Sequence, residues 1–223
     1  MPASQVIVSA PSGTSNADGN LVTQLGGKQG EGVVTELHGK YYTQNYRSLL
    51  YYGSNAAAGA AFSIFSNTTF AGLALWNPQG SGKNLVIAKV YLGLDTTAST
   101  AMGAFGYSWL INAGAGVATA APLSAFTAIT ATRGSGICGA PGQGSSVALV
   151  GSAATLTTAM TWGRPAAFST STGAITTQIA IGSLVDDVDG TMIVPPGVFW
   201  TLTTSILTGI TGVGTVIWYE APL

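Results

Sequence analysis

The amino-acid sequence predicts an all-β fold in which antiparallel strands form a sandwich or a barrel. Short runs of Val, Ile, Thr and aromatic residues recur along the chain, and these residue types suit the pleated surface of a strand. Gly, Pro, Asn and Asp cluster between the runs, where turns require them. Both features are clearest in residues 190–223, which predict a strand, a Pro-Pro-Gly corner and an antiparallel hairpin that closes a sandwich.

The chain divides into two predicted regions. Residues 1–30 are rich in Ser, Gly, Asn and Gln and have one short apolar patch, too little to offset the entropy of ordering. We therefore expect an extended, flexible N-terminal arm, or one that orders only against another chain. A chain of 223 residues can bury roughly 70% of its surface, and residues 31–223 are predicted to form a single β-sandwich domain.

The predicted strands follow the apolar and alternating runs in chain order. They are 33–38, 47–52, 62–65, 70–76, 85–94, 105–111, 146–150, 159–164, 174–180, 191–194, 198–207 and 213–219. Residues 77–84, with the sequence NPQGSGKN, are predicted to be the turn of a hairpin. Residues 118–132 predict a short helix and residues 133–144 a loop, and a helix inserted between strands is compatible with a sandwich.

Alternation in the run 85–94 predicts which of its side chains face the core. One face of this strand carries a mixed set, Leu85, Ile87, Lys89 and Tyr91. The other face carries only apolar residues, Val86, Ala88, Val90 and Leu92. The apolar set is therefore predicted to be buried.

The composition argues against several classes of partner. Charged residues make up 7% of the chain, against about 25% in a typical soluble protein. The surface must therefore be mostly uncharged polar residues, Gly and Ala, or be covered by neighbouring subunits. Seven basic residues and a net charge of −1 give no basic footprint for a phosphate backbone, so nucleic acid is not an expected partner.

The sequence also bears on the cellular compartment of the protein and on its association with membranes. Cys138 is the single cysteine, so no intrachain disulfide can form. The first residues lack a basic n-region and a long apolar region, and secretion is not expected. Residues 201–219 are uncharged, but Thr recurs in them and Gly interrupts them, which favours a pair of buried strands over a membrane span. We therefore expect no membrane partner.

Motifs for cofactors and catalysis are weak. Residues 134–139 match a dinucleotide-binding pattern, but Pro141 follows where a helix would have to begin. Residues 80–83, GSGK, lack the rest of a phosphate-binding loop. His38 is the only histidine, and nothing places it beside Cys138 as a nucleophile and base. We expect no cofactor, no small-molecule substrate, no catalytic residue and no enzymatic activity.

Three carboxylates form the one cluster of charge. Asp186, Asp187 and Asp189 provide oxygen ligands of the kind that Ca²⁺ prefers, but the spacing of a twelve-residue calcium loop fails. A solvated turn before the closing strands is the preferred interpretation, and no metal site is assigned. Whether the three aspartates bind a cation is left open.

Four segments resemble a family of tailed-bacteriophage virion proteins, small all-β components of capsids and tails. The similarity lies in residues 36–55, 71–90, 192–205 and 214–223. It implies a jelly-roll or tumour-necrosis-factor-like sandwich that assembles as a trimer. It further implies a decoration, or cement, protein that binds the major capsid protein on the exterior of the shell. Such a protein would be made in the host cytoplasm.

An alternative function is a receptor-binding module of a head or tail fibre. Five tyrosines would suit stacking on host glycans: Tyr41, Tyr42, Tyr46, Tyr51 and Tyr52. The other interpretation places them in the core and in a trimer interface, where Tyr is generally enriched. A glycan depolymerase would need paired carboxylates in a cleft, which the closely spaced aspartates do not provide.

Overall fold

The computed structural model describes part of the chain, and in that part it is a β-sandwich of two antiparallel sheets. The described residues are 5–8, 20–23, 40–41, 44–45, 48–55, 60–97, 104–111, 123–128, 133–135, 146–156, 158–167, 184–205 and 210–223. Their strands are β1 Gln5–Val8, β2 Asn20–Thr23, β3 Leu50–Ser54, β4 Ala60–Ala61, β5 Thr69–Trp76, β6 Lys83–Thr97, β7 Phe105–Ile111, β8 Leu123–Ala128, β9 Arg133–Ser135, β10 Leu149–Leu156, β11 Thr161–Ala167, β12 Leu184–Asp187, β13 Ile193–Val194, β14 Val198–Thr204 and β15 Ile210–Pro222.

The order of the strands is that of a jelly roll. One sheet has six strands in the order β11-β7-β14-β5-β10-β8. The other has the order β12-β6-β15-β3-β9, with β13 added beside β6 and β4 beside β15, seven strands in all. Within them, β5-β14-β7-β11 and β3-β15-β6-β12 are the two interleaved four-stranded sheets of a jelly roll. The predicted all-β, jelly-roll-like sandwich is confirmed.

Two predicted hairpins are wrong, because the chain crosses between the sheets at both places. β14 pairs with β5 and β7, whereas β15 pairs with β3 and β6. The turn after β5 likewise leads into β6, which lies in the other sheet. Crossing lets core residues of successive strands, such as Trp200 and Trp218, face each other across the sandwich. A hairpin would have placed both side chains on one sheet.

The four residues of β6 predicted to be buried, Val86, Ala88, Val90 and Leu92, are buried, but a β-bulge at Ala88 prevents them from forming one face of the strand. Ile87 pairs with Trp218 and Lys89 with Ile217, so Ala88 is an extra residue without a partner in β15. A bulge of this kind reverses the alternation of the residues that follow it. The residues of β6 that join the core cluster between the sheets are Leu85, Ile87, Val90 and Leu92.

The helix predicted for 118–132 and the loop predicted for 133–144 are also partly wrong. β8 and β9 occupy parts of these stretches, since β8 extends the six-stranded sheet beside β10 and β9 extends the other sheet beside β3. Pairing with a sheet edge outweighs a weak local preference for helix. The strands predicted at 33–38 and 174–180 lie outside the described residues.

The N-terminal segment contains a small sheet of its own. β1 and β2 pair antiparallel with each other, from Gln5 opposite Thr23 to Val8 opposite Asn20. This ladder belongs to neither sheet of the sandwich. The extent of the arm and the single domain over 31–223 stay predictions.

Aromatic side chains fill the space between the two sheets. Trp218 of β15 stacks on Tyr51 of β3, with ring centroids 6.0 Å apart. Trp200 of β14 stacks on Tyr107 of β7 at 5.3 Å. All four side chains are buried. A second buried cluster, which includes Phe70 and Phe199, lies on the other face of the six-stranded sheet.

A buried carboxylate fastens the two sheets at one end. Glu220 of β15 is only 2% exposed. Its Oε2 lies 2.6 Å from Nζ of Lys83 in β6, and its Oε1 accepts hydrogen bonds from the hydroxyl of Ser146 at 2.7 Å and the N–H of Val147 at 2.8 Å. Ser146 and Val147 lead into β10 of the opposite sheet. Both oxygens of the Glu220 carboxylate therefore have partners, as a buried charge requires.

We expect Glu220→Gln to lower the free energy of unfolding by about 1.5 to 3 kcal/mol, the usual contribution of hydrogen bonds to a charged group. The measurement is denaturant unfolding at one fixed protein concentration. Asp187→Asn is the matched control, because it neutralises an exposed carboxylate of the same sheet that also pairs with a lysine. An equal loss in both variants would contradict a special role for the buried charge.

Candidate functional site

Three aspartates, Asp186, Asp187 and Asp189, lie close in sequence but their side chains point to different places. Asp186 and Asp187 belong to β12, where alternation turns one inward and the other outward. Asp186 accepts a hydrogen bond of 2.7 Å from the hydroxyl of Tyr107, across the sandwich. Asp187 pairs with Lys89 at 2.7 Å on the outer face. The predicted solvated turn therefore begins only after these two residues.

Asp189 is the aspartate that belongs to the turn. Its φ of 51° is in the left-handed region, and Gly190 follows with a φ of 80°. The N–H groups of both residues donate to β6, to the carbonyls of Ala88 and Ile87, at 2.8 Å each. These two bonds hold the turn against the bulge of β6 and offset the unfavourable φ of Asp189.

Charge partners lower the pKa of Asp189. Its Oδ2 lies 2.5 Å from Nζ of Lys40, and its Oδ1 accepts a hydrogen bond from the hydroxyl of Tyr41. The bond from Lys40 is the larger cause of the lowered pKa, and the bond from Tyr41 is the second. The pKa of Tyr41 is raised, first by desolvation and then by its bond to Asp189, since loss of the phenolic proton would place two anions together.

The aspartates do not form a metal site with one another. Among the residues that the structure describes, no three His, Cys, Asp or Glu side chains lie together in a way that could hold a metal ion. Asp186 bonds to a buried tyrosine, Asp187 to Lys89, and Asp189 to Lys40 and Tyr41. The three carboxylates are thus committed to three separate contacts.

The outer face of the seven-stranded sheet carries a patch of aromatic and aliphatic side chains. We name it the tyrosine face and define it by Tyr52, Tyr91, Val185, Ile217 and Tyr219. Register places Val185 beside Tyr91 and Ile217 beside Tyr52. Tyr52 and Tyr91 are each 36% exposed and Val185 is 50% exposed. The patch is therefore a partly solvated surface in which the aromatic and aliphatic side chains lie beside Thr215 and the paired Lys89 and Asp187.

Of the five tyrosines predicted as a glycan platform, the three that the structure describes do not lie together. Tyr51 is 3% exposed and belongs to the core, because alternation in β3 turns it towards Trp218. Tyr52 is its neighbour and lies on the tyrosine face. Tyr41 is bonded to Asp189. Tyr42 and Tyr46 lie outside the described residues.

The structure describes parts of the other motifs that the sequence analysis named. Residues 80–83 belong to the crossing from β5 to β6, with positive φ at Gly80 and Gly82. Of residues 134–139, only Gly134 and Ser135 are described, and both belong to strand β9, where the dinucleotide pattern would need a turn before a helix. His38 and Cys138 lie outside the described residues.

Sequence reasoning missed Val185 of the tyrosine face and the buried role of Glu220. The alternation of residues along β15 could have predicted that Glu220 is buried. It falls on the same face of β15 as Val216 and Trp218, both fully buried. The alternation of the run 85–94 already put Tyr91 on the face opposite the predicted core, whereas Val185 could be found only by knowing that β12 pairs with β6.

Strand order, sheet packing and core define the class of the described part of the chain as a jelly-roll β-sandwich. No known protein family, curated protein or solved structure matches the sequence or the fold of this chain. Among the described residues, no helix has the length and apolar character needed to span a membrane.

The pKa of Asp189 provides a test of the geometry around the turn. Because a lowered pKa favours the carboxylate, the contacts of Asp189 stabilise the fold above the usual carboxyl pKa of about 3.9. That stabilisation is lost as the pH falls through the lowered value. We expect the midpoint in a ¹³C carboxyl NMR titration to rise most in Lys40→Met and less in Tyr41→Phe.

Lys89→Met is the matched control for this titration. Lys89 bonds to Asp187 and affects Asp189 only through distant charge, so its loss should raise the midpoint of Asp189 least. A midpoint that responds most strongly to Lys89→Met would show that the described contacts of Lys40 and Tyr41 are wrong.

Proposed function

We propose that this chain is a structural protein of a tailed-phage virion, a decoration or cement protein that assembles as a trimer on the outer shell and stabilises it. The single observation that carries the proposal is the tyrosine face. Jelly-roll topology and the low charge of the chain support the proposal. The resemblance of four segments to phage virion proteins is the reason for proposing a virion rather than another assembly.

The tyrosine face has the properties of a surface used for self-association. Tyrosine is enriched at protein interfaces, because its ring buries apolar area while its hydroxyl remains satisfied at the rim. Tyr91 and Ile217 lie on the two central strands of this face, β6 and β15, which makes the face continuous across the sheet. Burial of such area stabilises an assembly by roughly 25 cal/mol per Å². Closed cyclic symmetry is the usual form of a homo-oligomer, and in a trimer the contact is heterologous, so the tyrosine face of one copy would pack against a different surface of the next.

Low charge makes close packing of many copies possible. The charged residues within the tyrosine face are paired with each other, since Lys89, which lies opposite Ile217, bonds to Asp187. With a net charge of −1, neighbouring copies repel each other weakly. A protein that covers a shell at high local concentration benefits from this property.

Residues 1–30 would supply contact with the major capsid protein. Fully extended, a segment of this length would span up to about 100 Å at ~3.3 Å per residue, and it reaches that far only when the β1–β2 ladder, which places Gln5 opposite Thr23, opens. The pairing of β1 with β2 is separate from the sandwich, so this segment is available for a role of its own.

A glycan-binding module of a fibre is the second candidate. Tyr52 and Tyr91 are the observation in its favour, since half-exposed rings offer flat apolar faces to sugars. The burial of Tyr51 removes one member of the tyrosine group on which this function was first considered. Glycan-array binding by the trimer would favour this candidate, whereas stoichiometric binding to undecorated capsids favours decoration. A polysaccharide-degradation assay should be negative for both.

We expect the wild-type protein to have a solution mass of three times the 22.4 kDa protomer by light scattering coupled to size exclusion. Tyr91→Lys should give monomers, because it replaces a ring with a charge that, unlike Lys89, has no carboxylate partner in the interface. Its fold should persist, since the side chain already points to solvent. Thr158→Lys is the matched control, on an exposed site between β10 and β11. A trimer that survives Tyr91→Lys would refute the tyrosine face as the interface.

Deletion of residues 1–30 should leave the trimer intact and weaken binding to undecorated capsids. The reason is that the arm contributes attachment to the shell, whereas the sandwich carries self-association. Sedimentation of capsids with the full and shortened proteins measures the difference. Undiminished binding by the shortened protein would exclude the arm as a contact with the shell.

A further inference from the structure

The turn between β12 and β13 contains the dipeptide Asp189–Gly190. Its φ angles are positive at both residues, 51° and 80°, and the N–H of Thr191 closes the turn on the carbonyl of Val188 at 3.0 Å. Asp-Gly is a preferred pair for a turn with two positive φ angles. Asp-Gly is also a dipeptide that rearranges to isoaspartate, because glycine has no side chain to hinder its nitrogen from reaching the preceding carboxyl group. The turn is therefore a candidate site of covalent modification.

The rearrangement has two steps, and water is the only other reactant. The nitrogen of Gly190 attacks Cγ of Asp189, the amide proton and the OH of the carboxylic acid leave as water, and a five-membered succinimide ring forms. A water molecule then opens the ring. Addition at Cγ restores aspartate, whereas addition at the main-chain carbonyl carbon gives isoaspartate, in which the main chain runs through Cβ and Cγ. The product has the same mass as the starting chain.

Main-chain hydrogen bonds hold the nucleophile of the first step. The N–H of Gly190 donates to the carbonyl of Ile87 at 2.8 Å, and the N–H of Asp189 donates to the carbonyl of Ala88 at 2.8 Å. The nitrogen of Gly190 can attack only when its proton has been lost, which requires the bond to Ile87 to break. The turn must therefore open locally before the ring can form.

Two side chains from the segment before β3 hold the electrophile. Nζ of Lys40 lies 2.5 Å from Oδ2 of Asp189, and the hydroxyl of Tyr41 donates to Oδ1. Both contacts favour the carboxylate and lower the pKa of Asp189, whereas loss of water requires the protonated acid. The side chain of Asp189 is 37% exposed, so it can turn towards Gly190 once these two contacts are lost.

We propose that Asp189–Gly190 is a site of spontaneous conversion to isoaspartate, and that Lys40 and Tyr41 set its rate by holding the carboxylate. Isoaspartate adds one atom to the main chain between the two N–H groups of the turn, so their paired bonds to β6 cannot both re-form. This inference depends neither on the tyrosine face nor on a role in a virion, and the two proposals can fail separately.

Peptide mapping of the full-length protein by chromatography and mass spectrometry tests the proposal, since it separates isoaspartyl from aspartyl peptides. We expect isoaspartate to accumulate at Asp189 when the protein is unfolded in urea at neutral pH. In the folded protein, conversion should be about tenfold slower or more, because it proceeds only from the locally open turn. Residues 18 and 19 are also Asp and Gly, and conversion at Asp18 is the internal reference.

Two variants remove the contacts of the carboxylate one at a time. Lys40→Met and Tyr41→Phe should each speed conversion at Asp189 in the folded protein by about twofold to tenfold, the factor expected for one exposed ion pair or hydrogen bond. The rate at Asp18 should not change. Lys89→Met is the matched control, because Lys89 bonds to Asp187 instead, and it should leave both rates unchanged.

Tyr41→Phe also covers the case in which Lys40→Met fails to fold, because it keeps the ring and removes only the hydroxyl. Four results would each overturn the proposal: no isoaspartate at Asp189 in urea, equal rates in the folded and unfolded protein, no acceleration by either variant, or an equal acceleration by Lys89→Met.

Discussion

The packing of aromatic rings between the two sheets is the interaction on which the rest of the structure depends. Trp218 and Tyr51 stack within one sheet, Trp200 and Tyr107 within the other, and the two pairs belong to a single buried cluster. Aromatic side chains contribute the largest buried areas in a core. Their positions fix the register of four strands, because a slip of one residue would turn each ring to the outside.

Fixing the inner face also fixes the outer one. Once Tyr51 and Trp218 point inward, Tyr52 and Ile217 must point outward and lie side by side. The bulge at Ala88 does the same for β6, since it turns Tyr91 outward next to Val185. The tyrosine face is therefore a geometric counterpart of the core.

Local pattern was enough to find most strands, and β7 was placed at its observed bounds, 105–111, because five aromatic and aliphatic residues of this stretch stand between small ones. Pairing was not predictable, because β14 and β15 bond to strands far away in sequence. A bulge leaves no mark in the composition, so Leu85 and Ile87 were assigned to the face opposite the core, although the four residues predicted to be buried are buried. For the candidate site, the aspartates were identified, but not their separate partners Tyr107, Lys89 and Lys40, which depend on the tertiary fold.

The position of β15 has a consequence for how the chain acquires its structure. β15 follows every other described strand in the sequence, yet it lies at the centre of its sheet, between β6 and β3. On a ribosome, β3 and β6 would therefore emerge with their inner edges unpaired and wait for the strand that joins them. Ladders between such distant segments form slowly and leave unpaired edges exposed to other chains in the meantime. The time between the synthesis of β6 and that of β15 is thus the period in which this protein is most prone to aggregate.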